Sequence, residues 1–174
     1  MIYEDHTKAR AALKILSVEG IMLDVSARCI IRIKRINPEA VIPQYLYPGD
    51  SGADVRALDC FVLQPYERKV VPTGLCAEIP VGFELQIRPR SGLALTHGVT
   101  VLNAPGTIDS GYRGEIRVLL VNLSPEPYMV KNGQRIAQFV LAPVIQAEFK
   151  EVDELSKSER GTGGFGSTQD SAEG

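Results

Sequence analysis

Arg90 and Ser91 stand together in Pro89-Arg90-Ser91-Gly92-Leu93-Ala94, at the mouth of a short helical pattern. The first amides of a helix have no partner within it, and with the helix dipole they favour negative charge such as phosphate. Arg90 adds a two-pronged guanidinium and Ser91 a hydroxyl. The same hexapeptide also reads as a helix capped by Ser91 beside a surface arginine. A second candidate is Asp109 in Gly98–Glu115, GVTVLNAPGTIDSGYRGE, which follows the Pro105-Gly106 turn and precedes Ser110-Gly111-Tyr112. This order puts Asp109 near the tip of a tight hairpin. A carboxylate there can take a proton from water, or it can bond its own backbone, the commoner fate of a turn aspartate. Tyr112 is either a platform under a sugar ring or an aromatic that packs the hairpin. A third feature is Phe165, alone among the glycines of Arg160-Gly161-Thr162-Gly163-Gly164-Phe165-Gly166-Ser167-Thr168. That composition describes a flexible arm, and its one aromatic suits a segment that orders when the ring finds a flat partner.

The elements that position these residues are strands. Phe83, Leu85 and Ile87 alternate with Glu84, Gln86 and Arg88, the period of a strand with one face buried. In Ile116–Val121 both faces are apolar, which predicts a strand covered on both sides, within a sandwich or at a subunit contact. Turn signals separate such runs at Pro48-Gly49, Pro72-Thr73-Gly74, Pro80-Val81-Gly82, Pro105-Gly106 and Asn132-Gly133. Short strands punctuated in this way predict an all-β sandwich or jelly roll, with one short helix over Gly92–Thr96 opened by Ser91. Composition divides the chain into an extension over 1–28, a β-domain over 29–151 and a glycine-rich arm over 152–174. Within the extension, Ala9, Ala12, Leu13 and Leu16 recur at helical spacing, with Asp5 as a cap and Gly20 as a stop.

Bulk composition narrows the class. The 174 residues are 44% hydrophobic and 23% charged with net charge −2, which suits one globular domain with appendages. There is no basic surplus for nucleic acid, and no apolar run approaches the roughly 18 residues of a membrane span. Cys29, Cys60 and Cys76 are widely spaced and the only histidines are His6 and His97, so reduced, packed thiols are expected rather than a zinc site or disulfides. The acids Glu4, Asp5, Glu19 and Asp24 speak against an organellar transit peptide. A cytoplasmic protein is expected.

Five segments in order, Ser51-Gly52-Ala53-Asp54-Val55, PRSGLA, the Gly106–Glu115 run GxIDxxYxGE, Gly133-Gln134-Arg135-Ile136-Ala137-Gln138 and RGTGGFGST, resemble the five motifs of the trimeric dUTPase family. The resemblance spans roughly residues 31–168, and the ordered set carries weight that a single motif lacks. It implies a jelly-roll-like β-domain, a homotrimer, and Mg²⁺-dependent hydrolysis of dUTP to dUMP and diphosphate. By the resemblance, Asp109 orients and deprotonates the water that attacks the α-phosphorus. Asn103, with the backbone of the segment holding Gly106 and Ile108, matches the uracil-recognising position, and Tyr112 the ring against deoxyribose. Arg90, Ser91 and Gly92 match the phosphate loop, and Gln138 a contact to phosphate and water. Arg160, Ser167 and Thr168 match the arm's grip on the terminal phosphate, while Phe165 with Gly166 matches the part laid over uracil. Asp54 matches an acidic position near the metal and its water, with Mg²⁺ itself held mainly by the phosphates.

The chemistry is consistent with those roles. Water attack on a phosphoanhydride builds charge on the α-phosphate and on the leaving diphosphate, which cations and helix amides stabilise while one base positions the nucleophile. A site that hydrogen-bonds the uracil edge rejects cytosine by roughly 10⁴-fold, because the wrong edge leaves buried polar groups unpaired. The resemblance further implies that each site takes Arg90–Gly92 from one subunit, Asn103–Tyr112 from a second and the arm from a third. A dCTP deaminase shares the implied fold but wants a glutamate base near C4 of cytosine, where this chain offers Asp109 with Tyr112. A nucleotide-controlled interaction protein using residues 1–28 is the reading from a different class.

Overall fold

The computed structural model describes residues 29–164, together with the backbone of two short strands ahead of them, β1 (Ser17–Val18) and β2 (Ile21–Met22). These two pair antiparallel, with Val18 opposite Ile21. The helical pattern expected over Ala9–Leu16, its Asp5 cap and its Gly20 stop lie outside the described residues, as do Phe165, Gly166, Ser167 and Thr168.

Ten further strands follow: β3 (Arg32–Arg35), β4 (Ala53–Arg56), β5 (Phe61–Leu63), β6 (Arg68–Glu78), β7 (Phe83–Arg88), β8 (Val99–Val101), β9 (Gly106–Ile108), β10 (Ile116–Asn122), β11 (Tyr128–Val130) and β12 (Arg135–Pro143). The one helix among the described residues, α1 (Ser91–His97), lies between β7 and β8. One antiparallel sheet has the order β3-β6-β10-β8, a second β4-β12-β7-β9, and β11 pairs with β5. Their inner faces meet in a single core: Val71, Leu75, Val118 and Leu120 come from the first sheet, and Val55, Leu85, Ile136 and Phe139 from the second. The fold is an all-β, jelly-roll-like sandwich. No helix among the described residues is long and apolar enough to cross a membrane.

The alternation expected over Phe83–Arg88 is observed, with Leu85 and Ile87 buried and Arg88 exposed. Ile116–Val121 occupies β10, an inner strand of its sheet, with Val118, Leu120 and Val121 all buried. The Pro72-Thr73-Gly74 turn signal is corrected: these residues lie inside the eleven-residue β6. They form a bulge there, since Ile116 faces Leu75 while Arg117 faces Pro72. Gly74 takes a left-handed φ of 68°, and a Cβ on it would stand 2.7 Å from Leu58 and 2.9 Å from Ala40. Glycine satisfies both demands at once. The expectation of packed thiols also needs correction, because Cys29 and Cys60 are exposed and Cys76 half-buried; all three are free.

The segment expected as one tight hairpin over 98–115 is divided between the sheets. β8 pairs with β10 in the first and β9 with β7 in the second, so the chain crosses between layers over 102–105. The chain forms two compact units, Met1–Val144 and Ile145–Gly174. The last strand among the described residues ends at Pro143. In the second unit, residues 145–164 hold no helix or strand, and Arg160 closes a turn by donating from Nε to the Gly163 carbonyl at 2.9 Å.

Candidate active site

Gly52, Asp54, Arg90, Ser91, Gly92 and Gln138 line one cleft of about 380 Å³, and the register of the second sheet explains why. β12 lies between β4 and β7, so Gln138 faces Asp54 on one side and Arg88 on the other. Residues directly opposite in adjacent strands share a face. The Gln138 side chain passes over Gly52 and donates from Nε2 to the Pro89 carbonyl at 2.9 Å. A Cβ on Gly52 would stand 2.8 Å from its amide carbon, so glycine leaves the channel through which Gln138 reaches the phosphate-loop motif.

Asp54 is held by two cations. Its Oδ1 accepts from Arg90 Nε and its Oδ2 from Arg135 Nη1, each at 2.8 Å. The carboxylate is only 25% exposed, so these charge-assisted bonds form where screening is reduced. Asp54 was expected near a metal; here both its oxygens are engaged by guanidinium groups. Among the described residues, no group of three or more His, Cys, Asp or Glu side chains could hold a metal ion. The cleft presents Arg90 and Arg135 beside Asp54, with Asp50 also in its lining, and Arg90 stands at the mouth of α1.

Helix α1 begins at Ser91, one residue ahead of the expected Gly92. Arg90, in extended backbone, takes the cap position, and no side chain caps the helix. The reading of Ser91 as a cap is therefore corrected: Ser91 is the first helical residue, and it lines the cleft. The Arg90 carbonyl accepts the Ala94 amide at 3.1 Å, which continues the helix from the arginine.

A second cleft, sharing no residue with the first, is lined by Thr107, Ile108, Asp109, Tyr112, Glu115 and Arg117. Two readings of Asp109 are separated by its contacts. The turn is closed by its backbone carbonyl, which accepts the Tyr112 amide at 3.1 Å. Its carboxylate has no hydrogen-bond donor among the described residues, unlike Asp50, which accepts the Tyr47 amide at 2.8 Å. The carboxylate is thus exposed and available in the cleft, as a base requires.

The rest of the turn is rigidly built. The Tyr112 hydroxyl donates to the Glu115 carbonyl at 3.0 Å, and the ring covers Gly114 so closely that a Cβ there would lie 2.7 Å from Cζ. Arg113 Nη1 donates to the Ser110 carbonyl at 2.6 Å. Glu115 accepts the amide of Gly74 at 2.9 Å, which fastens the end of the turn to the β6 bulge. Tyr112 packs the turn and is still 41% exposed. Asn103 lies over Gly106, where a Cβ would stand 3.3 Å from the Asn103 amide nitrogen. Gly106 itself pairs with Ile87, which places Asn103 beside the edge of the second sheet.

Arg135 was not anticipated as a site residue. Period-two alternation from Gln138 would place it on the opposite face. A bulge between Arg135 and Ala137 breaks the alternation and aims Arg135 at Asp54. The only sequence signal was its place in the Gly133–Gln138 motif. Arg160 belongs to the separate unit described above, and Phe165, Gly166, Ser167 and Thr168 lie outside the described residues.

A family model, dUTPase, matches residues 38–169. A deoxyuridine 5'-triphosphate nucleotidohydrolase of Nautilia profundicola is 57% identical over 138 residues, 79% of this chain and 97% of that protein. One from Clostridium kluyveri is 53% identical over 136 residues, 78% of this chain and 95% of that protein. Among solved structures, the dUTPase of Staphylococcus bacteriophage 80alpha with dUPNHPP superposes with a TM-score of 0.71 at 28% identity, covering 80% of this chain and 98% of that one.

Proposed function

The chain belongs to the dUTPase family, and from that premise we propose that it hydrolyses dUTP to dUMP and diphosphate by water attack on the α-phosphorus. In the cytoplasmic nucleotide pool this limits uracil incorporation into DNA and supplies dUMP for thymidylate synthesis. The observation that carries the reading is the pairing of an unencumbered Asp109 carboxylate in one cleft with an anchored Arg90-Ser91-Gly92 phosphate loop in the other.

Asp109 accepts a proton from the attacking water and holds its lone pair toward phosphorus. Arg90, Ser91 and the first α1 amides take up the charge that develops on the phosphates, and Gln138 orients phosphate and water. Arg90 keeps its place because Asp54 and Arg135 hold it, so less reorganisation is needed as charge builds. Asn103 and the backbone from Gly106 to Ile108 bond the uracil edge. Tyr112 stacks on deoxyribose, where a 2'-hydroxyl meets its ring. Residues 152–174 act as an arm: Arg160, Ser167 and Thr168 grip the terminal phosphate, and Phe165 with Gly166 covers uracil. Residues 29–151 serve as the catalytic β-domain, with 1–28 an extension outside it.

The donor set fits a Mg²⁺ ion that arrives with the triphosphate. Asp54 is engaged by arginines, and the described residues build no protein cage of three or more acidic, histidine or cysteine ligands. When bound, Mg²⁺ supplies charge neutralisation across the phosphates. Asp54 then acts one step away, through the arginines that face those phosphates.

The base and the phosphate loop open into different clefts, which supports a homotrimer whose sites combine the loop of one subunit, the Asn103–Tyr112 segment of a second and the arm of a third. Trimers assembled from equal amounts of Arg90→Ala and Asp109→Asn chains test this. Each parent is expected to be nearly inactive, and the mixture to recover up to about a quarter of native activity, the share of sites that draw both intact residues from different chains. A mixture no more active than its parents would place both residues in one subunit's site.

A further inference from the structure

Gln134 and Arg135 are neighbours at the start of β12, and they reach the two ends of α1 by different routes. At the front, Arg135 shares Asp54 with Arg90, and the Arg135 carbonyl also accepts from Arg90 Nη1 at 3.4 Å. At the back, Gln134 Nε2 donates to the Tyr128 hydroxyl at 2.5 Å. The Tyr128 ring lies against the ring of His97, the last residue of α1, with centroids 4.6 Å apart and planes tilted by 39°.

Gln134 is held on its other sides as well. Its Oε1 accepts the Lys131 amide at 2.9 Å and its carbonyl the Ala57 amide at 2.9 Å. Tyr128 is half-buried against the core and paired with Leu63 across β5. The base of the chain of contacts is therefore rigid, while His97 at its end is exposed. Gly98 closes the helix in left-handed backbone, φ 65°, and its carbonyl accepts the Leu123 amide at 2.9 Å. The two ends of this seven-residue helix are thus linked by contacts to adjacent residues, Arg135 at the front and, through Tyr128, Gln134 at the back.

We infer that Gln134, Tyr128 and His97 are positioning residues that set where α1 presents Ser91 and Gly92 relative to Arg90, and so tune the grip on the triphosphate. The inference rests on the function proposed above. It separates from simple packing because an exposed His97 contributes little to the core, and truncation at exposed positions usually changes stability by within about 0.5 kcal/mol. The effect should fall on the phosphates alone, since the nucleoside contacts come from another cleft.

The test uses the full chain and the variants His97→Ala, His97→Phe and Tyr128→Phe. The readouts are the binding constants of deoxyuridine and of a non-hydrolysable imido analogue of dUTP, with melting temperatures. His97→Ala is expected to weaken the analogue about 3- to 10-fold, as Ser91 and Gly92 shift relative to Arg90. Its deoxyuridine binding and melting temperature should stay close to native. His97→Phe should restore most of the loss, and Tyr128→Phe, which keeps the ring but not the hydroxyl, should move in the direction of His97→Ala. Equal weakening of both ligands, or no weakening of the analogue, overturns the inference while leaving dUTP hydrolysis intact. A native chain that neither binds nor hydrolyses dUTP overturns the functional reading and this inference with it.

Discussion

Asp109→Asn is expected to bind dUTP about as well as the native chain and to lose about 10²–10⁴-fold in turnover, the usual worth of a positioned general base. The substitution keeps the size and planarity of the side chain while removing its negative charge and its ability to accept a proton. The fold should be indifferent, because the turn is closed by the Asp109 carbonyl rather than by its carboxylate. The residues proposed to hold the phosphates, Arg90, Ser91 and Gly92, line the other cleft, so ground-state affinity should be retained. Single-turnover rates with dUTP, beside affinity for a non-hydrolysable analogue, separate the two quantities. A variant turning over at near-native rate would move the base elsewhere, and one that failed to bind would make Asp109 a substrate anchor.

Ending the chain after Ser158 is expected to cost at least about 10²-fold in kcat/KM, because it removes Arg160, Ser167 and Thr168 together with Phe165. On the proposed function, charge-assisted bonds to the terminal phosphate and the exclusion of water over the base would be lost together. The proposed trimer should survive, since among the described residues the last strand ends at Pro143 and every core residue precedes it. Size-exclusion chromatography and melting temperature check the assembly, and steady-state kinetics check the loss. A truncated chain that falls apart into monomers would make the arm structural.

Both predictions rest on residues whose types were legible in the sequence, although their placement was legible only in part. Phe83–Arg88 and Ile116–Val121 show their strands because side-chain alternation and burial are local properties. Gly74 misled for the opposite reason. Its Pro-Thr-Gly context is that of a turn, yet the left-handed backbone serves a bulge inside β6, where Leu58 and Ala40 close in from distant parts of the chain. Arg135 was hidden in the same way, since a bulge in β12 turns it toward Asp54 and nothing in a period-two pattern announces a bulge. Asp54 was placed near a metal only by the resemblance to the trimeric family; its two arginine partners come from strand order and a bulge that composition does not contain. Asp109 and Tyr112 each had two readings on the sequence. For the aspartate, the backbone carbonyl closes the turn and leaves the carboxylate exposed. That Arg90 and Asp109 would line different clefts was suggested only by the resemblance to the trimeric family.

The measurement that bears most directly on the central claim is diphosphate release from dUTP, dTTP, dCTP and UTP, each with Mg²⁺ and with EDTA. Fast, Mg²⁺-dependent release from dUTP is expected, with the other three nucleotides slower by orders of magnitude: cytosine fails at the uracil-reading edge, ribose at Tyr112, and thymine at the space left for its methyl group. Ammonia released from dCTP, or diphosphate released equally from all four nucleotides, would contradict it.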